Sequence, residues 1–366
     1  MISTVSRYLT VLFLMRFGFL LLGLSILVVF LDFMADGDEV LEAGGGAVMP
    51  ILRYTVLRLP EILSELIPIT AMLAGFVTFA TLARYRELTA MLGVGISKFK
   101  LALAIAPAAV LVAAGQFVIE DQALPVTVGE LRAWGVADYA AADDGAPTWI
   151  RQGTDIARIK HLDYADDRLE GVTIFRRDPD GNLLERIEAT SAVYRDGSWS
   201  LLGVRRTAPG ERAEIESAPL DWPQGLSPDL LHAAAAHPKE TPLVELMRVS
   251  AQSDLGTQPG YRYRVWLQER LAGPVTTMIL IILTVALAQP FESASGRGFL
   301  LAIWLATGFV CWTFDGLVLT FGEIGLLPPA LAAWTAPAVF AAMALWLMIH
   351  DEHRRVEHKT PAAALG

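Results

Sequence analysis

Cysteine is almost absent from this chain, with Cys311 alone among 366 residues. A disulfide within the chain is therefore excluded, and the residue set for a cysteine-rich zinc cluster is missing. Cys311 sits in an apolar run, where a thiol reads as a small buried side chain. Basic charge is also in deficit: 29 Lys and Arg stand against 39 Asp and Glu, for a formal net charge of −10. No basic face competes for phosphates, which argues against nucleic acid as a partner. Catalytic signatures are missing too. The sequence has no G-x-S-x-G, H-E-x-x-H or G-x-x-x-x-G-K-S/T pattern, hence no recognisable catalytic centre and no nucleotide loop. His161, His232 and His237 are scattered without metal-ligand spacing. His350 and His353, flanking Asp351 and Glu352, read as a polar helix end.

Apolar residues, by contrast, make up 54% of the chain, too many for an ordinary soluble enzyme of this length. They gather in six stretches: Val11–Leu31, Ile62–Leu82, Phe99–Ile119, Leu271–Ala288, Phe299–Thr320 and Leu331–Ile349. A bilayer core is crossed by about 20 residues of helix, and each stretch qualifies. The pattern predicts a six-span helical membrane protein, three plus three, interrupted by an inserted all-β domain. The expected divisions are 1–120, 121–265 for the insert with a short helix, 266–350, and a tail at 351–366. The first stretch exceeds a signal-peptide core of about 7–15 residues and lacks a small-x-small cleavage pattern, so a retained helix is expected. Arg16 interrupts it, compatible with a guanidinium that snorkels or faces a partner helix.

Lys and Arg in short loops and tails set orientation. Arg7, Arg84, Arg86, Lys98, Lys100, Arg297, Arg354, Arg355 and Lys359 fall on one side, against Arg53 and Arg58 in the first loop on the other. That bias places both termini in the cytoplasm and the long insert outside.

Within the insert, Gly171–Phe175 leads into the turn Asp178–Gly181, Ile187–Tyr194 into Asp196 and Gly197, and Trp199–Val204 resumes the β pattern. Turns at such intervals predict a sandwich or jellyroll-like sheet. Pro242–Leu255 reads as an amphipathic helix with Leu243, Leu246, Met247 and Val249 on one side. The aromatic and arginine run Tyr261–Trp266 suits the headgroup layer.

The inner loop at 84–97 opens with Arg84, Arg86 and Glu87, continues with the apolar Leu88, Ala90, Met91 and Leu92, and ends at Gly93 and Gly95. A short helix lying along the inner face follows, stopped by glycine. Such a helix either docks in a partner's groove or anchors the bundle in the interface, and the residues alone leave both open.

This segment resembles the coupling helix of the LptF/LptG permeases, which export lipopolysaccharide from Gram-negative inner membranes. The order of six spans with a β domain between the third and fourth is similar to that family over nearly the whole chain. The run Tyr261, Trp266 and Pro274 resembles its fourth-helix approach, and Gly308, Phe309, Gly322, Leu327, Pro328, Pro329, Trp334 and Pro337 resemble its fifth and sixth helices. Within the family, the stretch at 255–274 and the Leu-Pro-Pro region lie nearer the LptG branch.

The resemblance implies an ABC transporter permease subunit with a periplasmic jellyroll, working beside an LptF-like sister subunit, an LptB-like ATPase dimer and an LptC-like single-span protein. It implies no cofactor on this chain, because the partner uses the ATP. By resemblance, Arg84, Arg86, Glu87, Leu88, Met91, Leu92 and Gly95 form the ATPase-coupling segment. A cavity wall is expected from Gly23, Phe30, Phe309 and Asp315, with Gly18, Gly75 and Gly308 permitting close helix approach. One departure is the outer end of the first span, acidic here at Asp32, Asp36, Asp38, Glu39 and Glu42 where some members carry lysines. Lipid headgroup contacts are therefore expected from Arg53, Arg58, Arg262, Arg264 and Arg270. The competing readings are a sensor with an exterior β domain, a membrane-embedded enzyme built around Asp315, and a permease for another lipid.

Overall fold

The computed structural model describes residues 2–43, 48–134, 147–152, 154–163, 168–195, 197–210, 214–216, 219–222, 227–228, 231, 238–251, 259–288 and 296–357. The expectations placed on His232, His237, Asp196 and Lys359 lie outside these. The chain divides into two compact units, Met1–Thr127 with Gln268–Gly366, and Val128–Leu267. In chain order the helices are α1 (Ile2–Ala43), α2 (Val48–Arg84), α3 (Glu87–Gly93), α4 (Lys98–Val118), α5 (Leu124–Trp134), α6 (Leu243–Ala251), α7 (Gly260–Leu287), α8 (Gly296–Glu323) and α9 (Pro329–Glu357).

Among the described residues, five segments are long and apolar enough to cross a membrane: Thr4–Leu41, Met49–Arg84, Lys98–Trp134, Gly260–Leu287 and Pro329–Asp351. The remaining apolar stretch, Phe299–Thr320, falls within the 28-residue α8. α1 and α2 run well past their apolar cores, so Arg53 and Arg58 belong to a helix and not to the expected loop. The reason is a second set of packing residues hidden among the acids: Val40, Tyr54 and Leu57 are buried, and Arg58 of α2 reaches Asp32 of α1 at 3.5 Å.

The α2 helix is central to the helical unit, with Ala71, Ala74 and Phe79 fully buried. A Cβ on Gly75 would overlap the Thr284 side chain of α7, and one on Gly308 of α8 would overlap the Met72 tip. Those two glycines do mark close approach. Gly18 and Gly23 have no neighbour within 4 Å of that position. Arg16 faces α2, where Nη1 donates to the Val77 carbonyl at 3.1 Å.

The helix of α4 continues through a π-turn at Ile119–Ala123 into α5, so the β fold begins later than residue 121. Eight strands follow: β1 (Thr148–Gln152), β2 (Asp155–Asp163), β3 (Arg168–Arg177), β4 (Leu183–Arg195), β5 (Ser198–Leu202), β6 (Val204–Thr207), β7 (Glu214–Glu216) and β8 (Leu220–Trp222). They form one antiparallel sheet in the order β1-β2-β3-β4-β5-β8, with β6 on β4 and β7 on β6. The expected strand Trp199–Val204 is split at Gly203, which has φ +65°. Beyond the split, β5 takes β8 as its neighbour and β6 takes β7, so the sheet forks.

Register places Lys160, Gly171, Thr190 and Gly203 in one row across the sheet. A Cβ at Gly171 (φ +63°) would meet the Lys160 side chain at 2.8 Å, and one at Gly203 would meet Thr190 Oγ1 at 2.6 Å. Across this row the buried positions change parity: Leu169 precedes it and Val172 and Ile174 follow it in β3, and Ile187 and Ala189 give way to Ala192 in β4. The row is a crease, and glycine kinks of this kind curve a sheet around its core. That core gathers Ile150, Ile159, Val172, Ile174, Trp199 and Leu201. In α6 only part of the expected stripe is buried, with Leu246 and Val249 packing on Tyr263 while Met247 is exposed.

The β3–β4 turn is tied by its first residue: the Asp178 carboxylate accepts from Asn182 N at 2.8 Å and Nδ2 at 3.0 Å. These bonds to the Asn182 side chain and backbone hold the Asp178 carboxyl below the usual carboxylate range. Its contribution to stability is present above the ordinary aspartate pKa and is lost as pH falls through the depressed value. An NMR titration should find Asp178 below a turn-free aspartate, and Asn182→Ala should raise it only part of the way, because the backbone N–H of residue 182 still donates to it.

Candidate functional site

The segment after α2 is built by a sharp reversal. Arg86 has φ +59°, the sole non-glycine residue in the left-handed region among those described, and it stands as N-cap of α3 without a side-chain cap bond. A non-glycine residue held there costs about 1–3 kcal/mol, so the surrounding structure fixes this turn. At the other end Gly95, at φ +90°, closes α3 with Ile96 N donating to the Met91 carbonyl (3.1 Å) and Gly95 N to that of Leu92 (3.2 Å). This is the glycine stop expected from the sequence. Ser97 then caps α4, accepting from Lys100 N at 3.3 Å.

The face of α3 is set by burial. Leu88 is 1% exposed, and Met91 and Leu92 pack against the bundle core. Arg84, Tyr85, Arg86, Thr89, Ala90, Val94 and Gly95 are exposed. The apolar side read from Met91 and Leu92 is therefore turned toward this chain, and the outward ridge is a mixture of arginine, Tyr85, Ala90 and Val94. Arg84 lies 5.9 Å from the Tyr85 ring centre. Glu87 is half-buried, and its Oε2 accepts from Tyr8 Oη at 2.9 Å. Ser6 Oγ donates to the Ala104 carbonyl at 2.8 Å, so the start of α1 is fastened to both α3 and α4.

The arginines expected at a headgroup separate into two kinds. Arg53 and Arg264 are exposed and Arg262 is half-buried. Arg58 pairs with Glu61 at 2.5 Å and Asp32 at 3.5 Å. Arg270 is 4% exposed and donates to the Glu120 carbonyl at the π-turn, inside the helix packing. Gln116 adds to the same junction, accepting from Thr277 Oγ1 at 2.6 Å and donating to Glu120 at 2.8 Å. A π-turn frees carbonyls from the regular ladder, and Arg270 satisfies one of them. Of the expected cavity residues, Gly23, Phe30 and Phe309 are exposed on α1 and α8, and Asp315 is half-buried.

Sequence reading missed the roles of Tyr8 and Lys98. Nothing in a linear pattern links Tyr8 to Glu87. Lys98 did carry a signal, because it opens the buried stripe Leu101, Ile105, Ala108 and Val112 at helical spacing. Among the described residues no group of three His, Cys, Asp or Glu is placed to hold a metal ion. The arrangement offers a contact ridge and an apolar bundle.

A family model described as lipopolysaccharide export system permease LptF/LptG matches residues 7–350. The chain is also similar to the lipopolysaccharide export system permease protein LptG of Haemophilus influenzae, at 21% identity over 337 residues covering 90% of this chain and 92% of that protein. Against the protein of the same name from Escherichia coli K12 the identity is 22% over 343 residues, covering 90% and 93%.

Proposed function

The chain belongs to the LptF/LptG family of lipopolysaccharide export permeases, and from that premise we propose how it works. It is the permease subunit that takes lipopolysaccharide from the outer leaflet of the inner membrane and passes it to a periplasmic bridge. α8 supplies the sixth crossing, the creased sheet is part of a jellyroll-like periplasmic domain, and both termini are cytoplasmic. The charge bias of the short loops supports that orientation.

Withdrawing acyl chains from a bilayer forfeits about 0.8 kcal/mol per CH₂, so extraction needs an external energy source. The sequence holds no nucleotide loop, and a separate LptB-like ATPase dimer does this work. The observation that carries the coupling is the α3 ridge, held rigidly between the Arg86 reversal and the Gly95 stop. Arg84, Arg86, Glu87 and Gly95 meet the ATPase, while Leu88, Met91 and Leu92 anchor α3 to the bundle. An LptF-like sister subunit closes the cavity against Gly23, Phe30, Phe309 and Asp315, and an LptC-like protein joins outside. Headgroup contact is offered by Arg53 and Arg264, which are exposed, with the half-buried Arg58 and Arg262 beside them, whereas Arg270 lies buried in the helix packing.

Mass spectrometry of the intact, detergent-extracted complex tests this. It should report a sister permease, two ATPase copies and bound lipopolysaccharide. Glu87→Ala should lower transport about tenfold with membrane insertion unchanged, as expected for a lost charge-assisted contact. A chain that extracts alone and lipid-free would sink the reading.

A further inference from the structure

Lys98 is a buried charge that neither the lipid path nor the ATPase ridge accounts for. It is 5% exposed at the first residue of α4. Its Nζ donates to the Ala286 carbonyl at 2.7 Å and forms an ion pair with Asp351. These partners are 188 and 253 residues away in sequence, in the last turn of α7 and in α9.

Local helix chemistry does not explain a lysine there. A cation at a helix N-terminus opposes the macrodipole, and the exposed Lys100 two residues on already supplies inner-side charge. The far contacts do explain it. The Ala286 carbonyl is among the last four of α7, which have no partner inside their own helix, and a cation suits that negative end. Asp351 supplies the countercharge. One ammonium thus satisfies two groups on two helices at the inner end of the bundle, and a buried ammonium is tolerated only when paired in this way.

Lys98 is also joined closely to α3. Only residues 94–97 intervene, and they are closed by the Gly95 stop and the Ser97 cap. A displacement of α3 therefore reaches Lys98 through a short, hydrogen-bonded link. We propose that Lys98 is a positioning residue that ties the α3 ridge to α7 and α9, so that force received at α3 moves the C-terminal helices with the N-terminal ones. The inference rests on the reading that α3 receives the ATPase's work. α3 also packs on α2, which carries force to the N-terminal half. Lys98 provides a polar clamp to the other half.

The test uses the full chain purified with its sister permease and ATPase partner in lipopolysaccharide-containing vesicles, scoring ATPase retention, ATP hydrolysis and lipid extracted per ATP. Lys98→Met should keep the ATPase bound and hydrolysis within about twofold, while lipid extracted per ATP falls about tenfold, the range of a lost coupling contact. Lys98→Arg, which keeps charge and donors, should restore most of the ratio. Asp351→Asn, at a partly exposed site that tolerates change, should give an intermediate loss and serves if the methionine variant does not assemble. An unchanged ratio in both Lys98→Met and Asp351→Asn overturns the proposal. So does a loss of retention, hydrolysis and transport in equal proportion, which would make the clamp merely structural. If the unaltered chain retains no ATPase, the premise about α3 fails and the proposal goes with it.

Discussion

Truncating Trp199 to alanine is expected to cost the β unit about 3–5 kcal/mol, the usual range for deleting a fully buried aromatic side chain. Trp199 is 1% exposed and stands opposite Tyr194 on β4 and Trp222 on β8, with the Tyr194 ring 5.2 Å away. It sits just before the fork, where β5 carries the last neighbour of the main path. Its loss leaves a cavity bordered by strands that cannot collapse without breaking the register of β4 with β5. Against a typical total of about 5–15 kcal/mol, that is a large fraction. Urea-dependent proteolysis of the full chain in detergent should show cleavage within 148–222 at much lower urea. Leu184→Ala, at an exposed β4 position, should change the midpoint little. Equal midpoints for the two variants would contradict the assigned core.

The second large effect is expected in the bundle. Gly75→Val forces a branched side chain into the space of Thr284, which is itself β-branched and bonded through Oγ1 to the Ile281 carbonyl at 2.6 Å. The neighbour cannot swing away, so overpacking of about 1–3 kcal/mol or more follows. Gly308→Ala should be far milder. There the obstructing atom is the end of Met72, a flexible side chain that re-packs readily. Gly18→Ala, with open space around it, should be neutral or slightly stabilising as a helix substitution. Thermal unfolding in detergent ranks the three: Gly75→Val lowest, then Gly308→Ala, with Gly18→Ala at the unaltered value. Loss of stability in Gly18→Ala comparable to that in Gly75→Val would refute the packing described.

Much of this was legible in the residues. Apolar runs of bilayer length marked the helices, Asp178 to Gly181 marked a tight turn, and Gly95 marked the end of α3. Other features were hidden for physical reasons. The extension of α1 past Leu31 was masked because acids outnumber the few apolar residues that pack, and Val40 looks isolated until Tyr54 and Leu57 are folded back beside it. Arg270 was expected at a lipid headgroup, in place of the lysines missing from the outer end of the first span. Yet Tyr263, Arg270, Thr277 and Thr284 recur every seven residues and all are buried, a stripe that treating arginine as necessarily exposed conceals. The forked sheet turns on the conformation of Gly203, which a β pattern running from Trp199 to Val204 does not disclose. Tyr8 and Glu87 meet through tertiary packing alone.

The length of α1 has a further consequence. Its 42 residues make a rod of about 63 Å at 1.5 Å per residue, roughly twice the thickness of the hydrocarbon layer. With the proposed orientation, the upper part of that rod stands clear of the acyl region, flanked by the beginning of α2. Phe33, Met34, Met49, Leu52 and Val56 remain uncovered by this chain along that height. Under the proposed function, an amphiphile climbing that strip keeps oily company for its tails after its headgroup has left the surface.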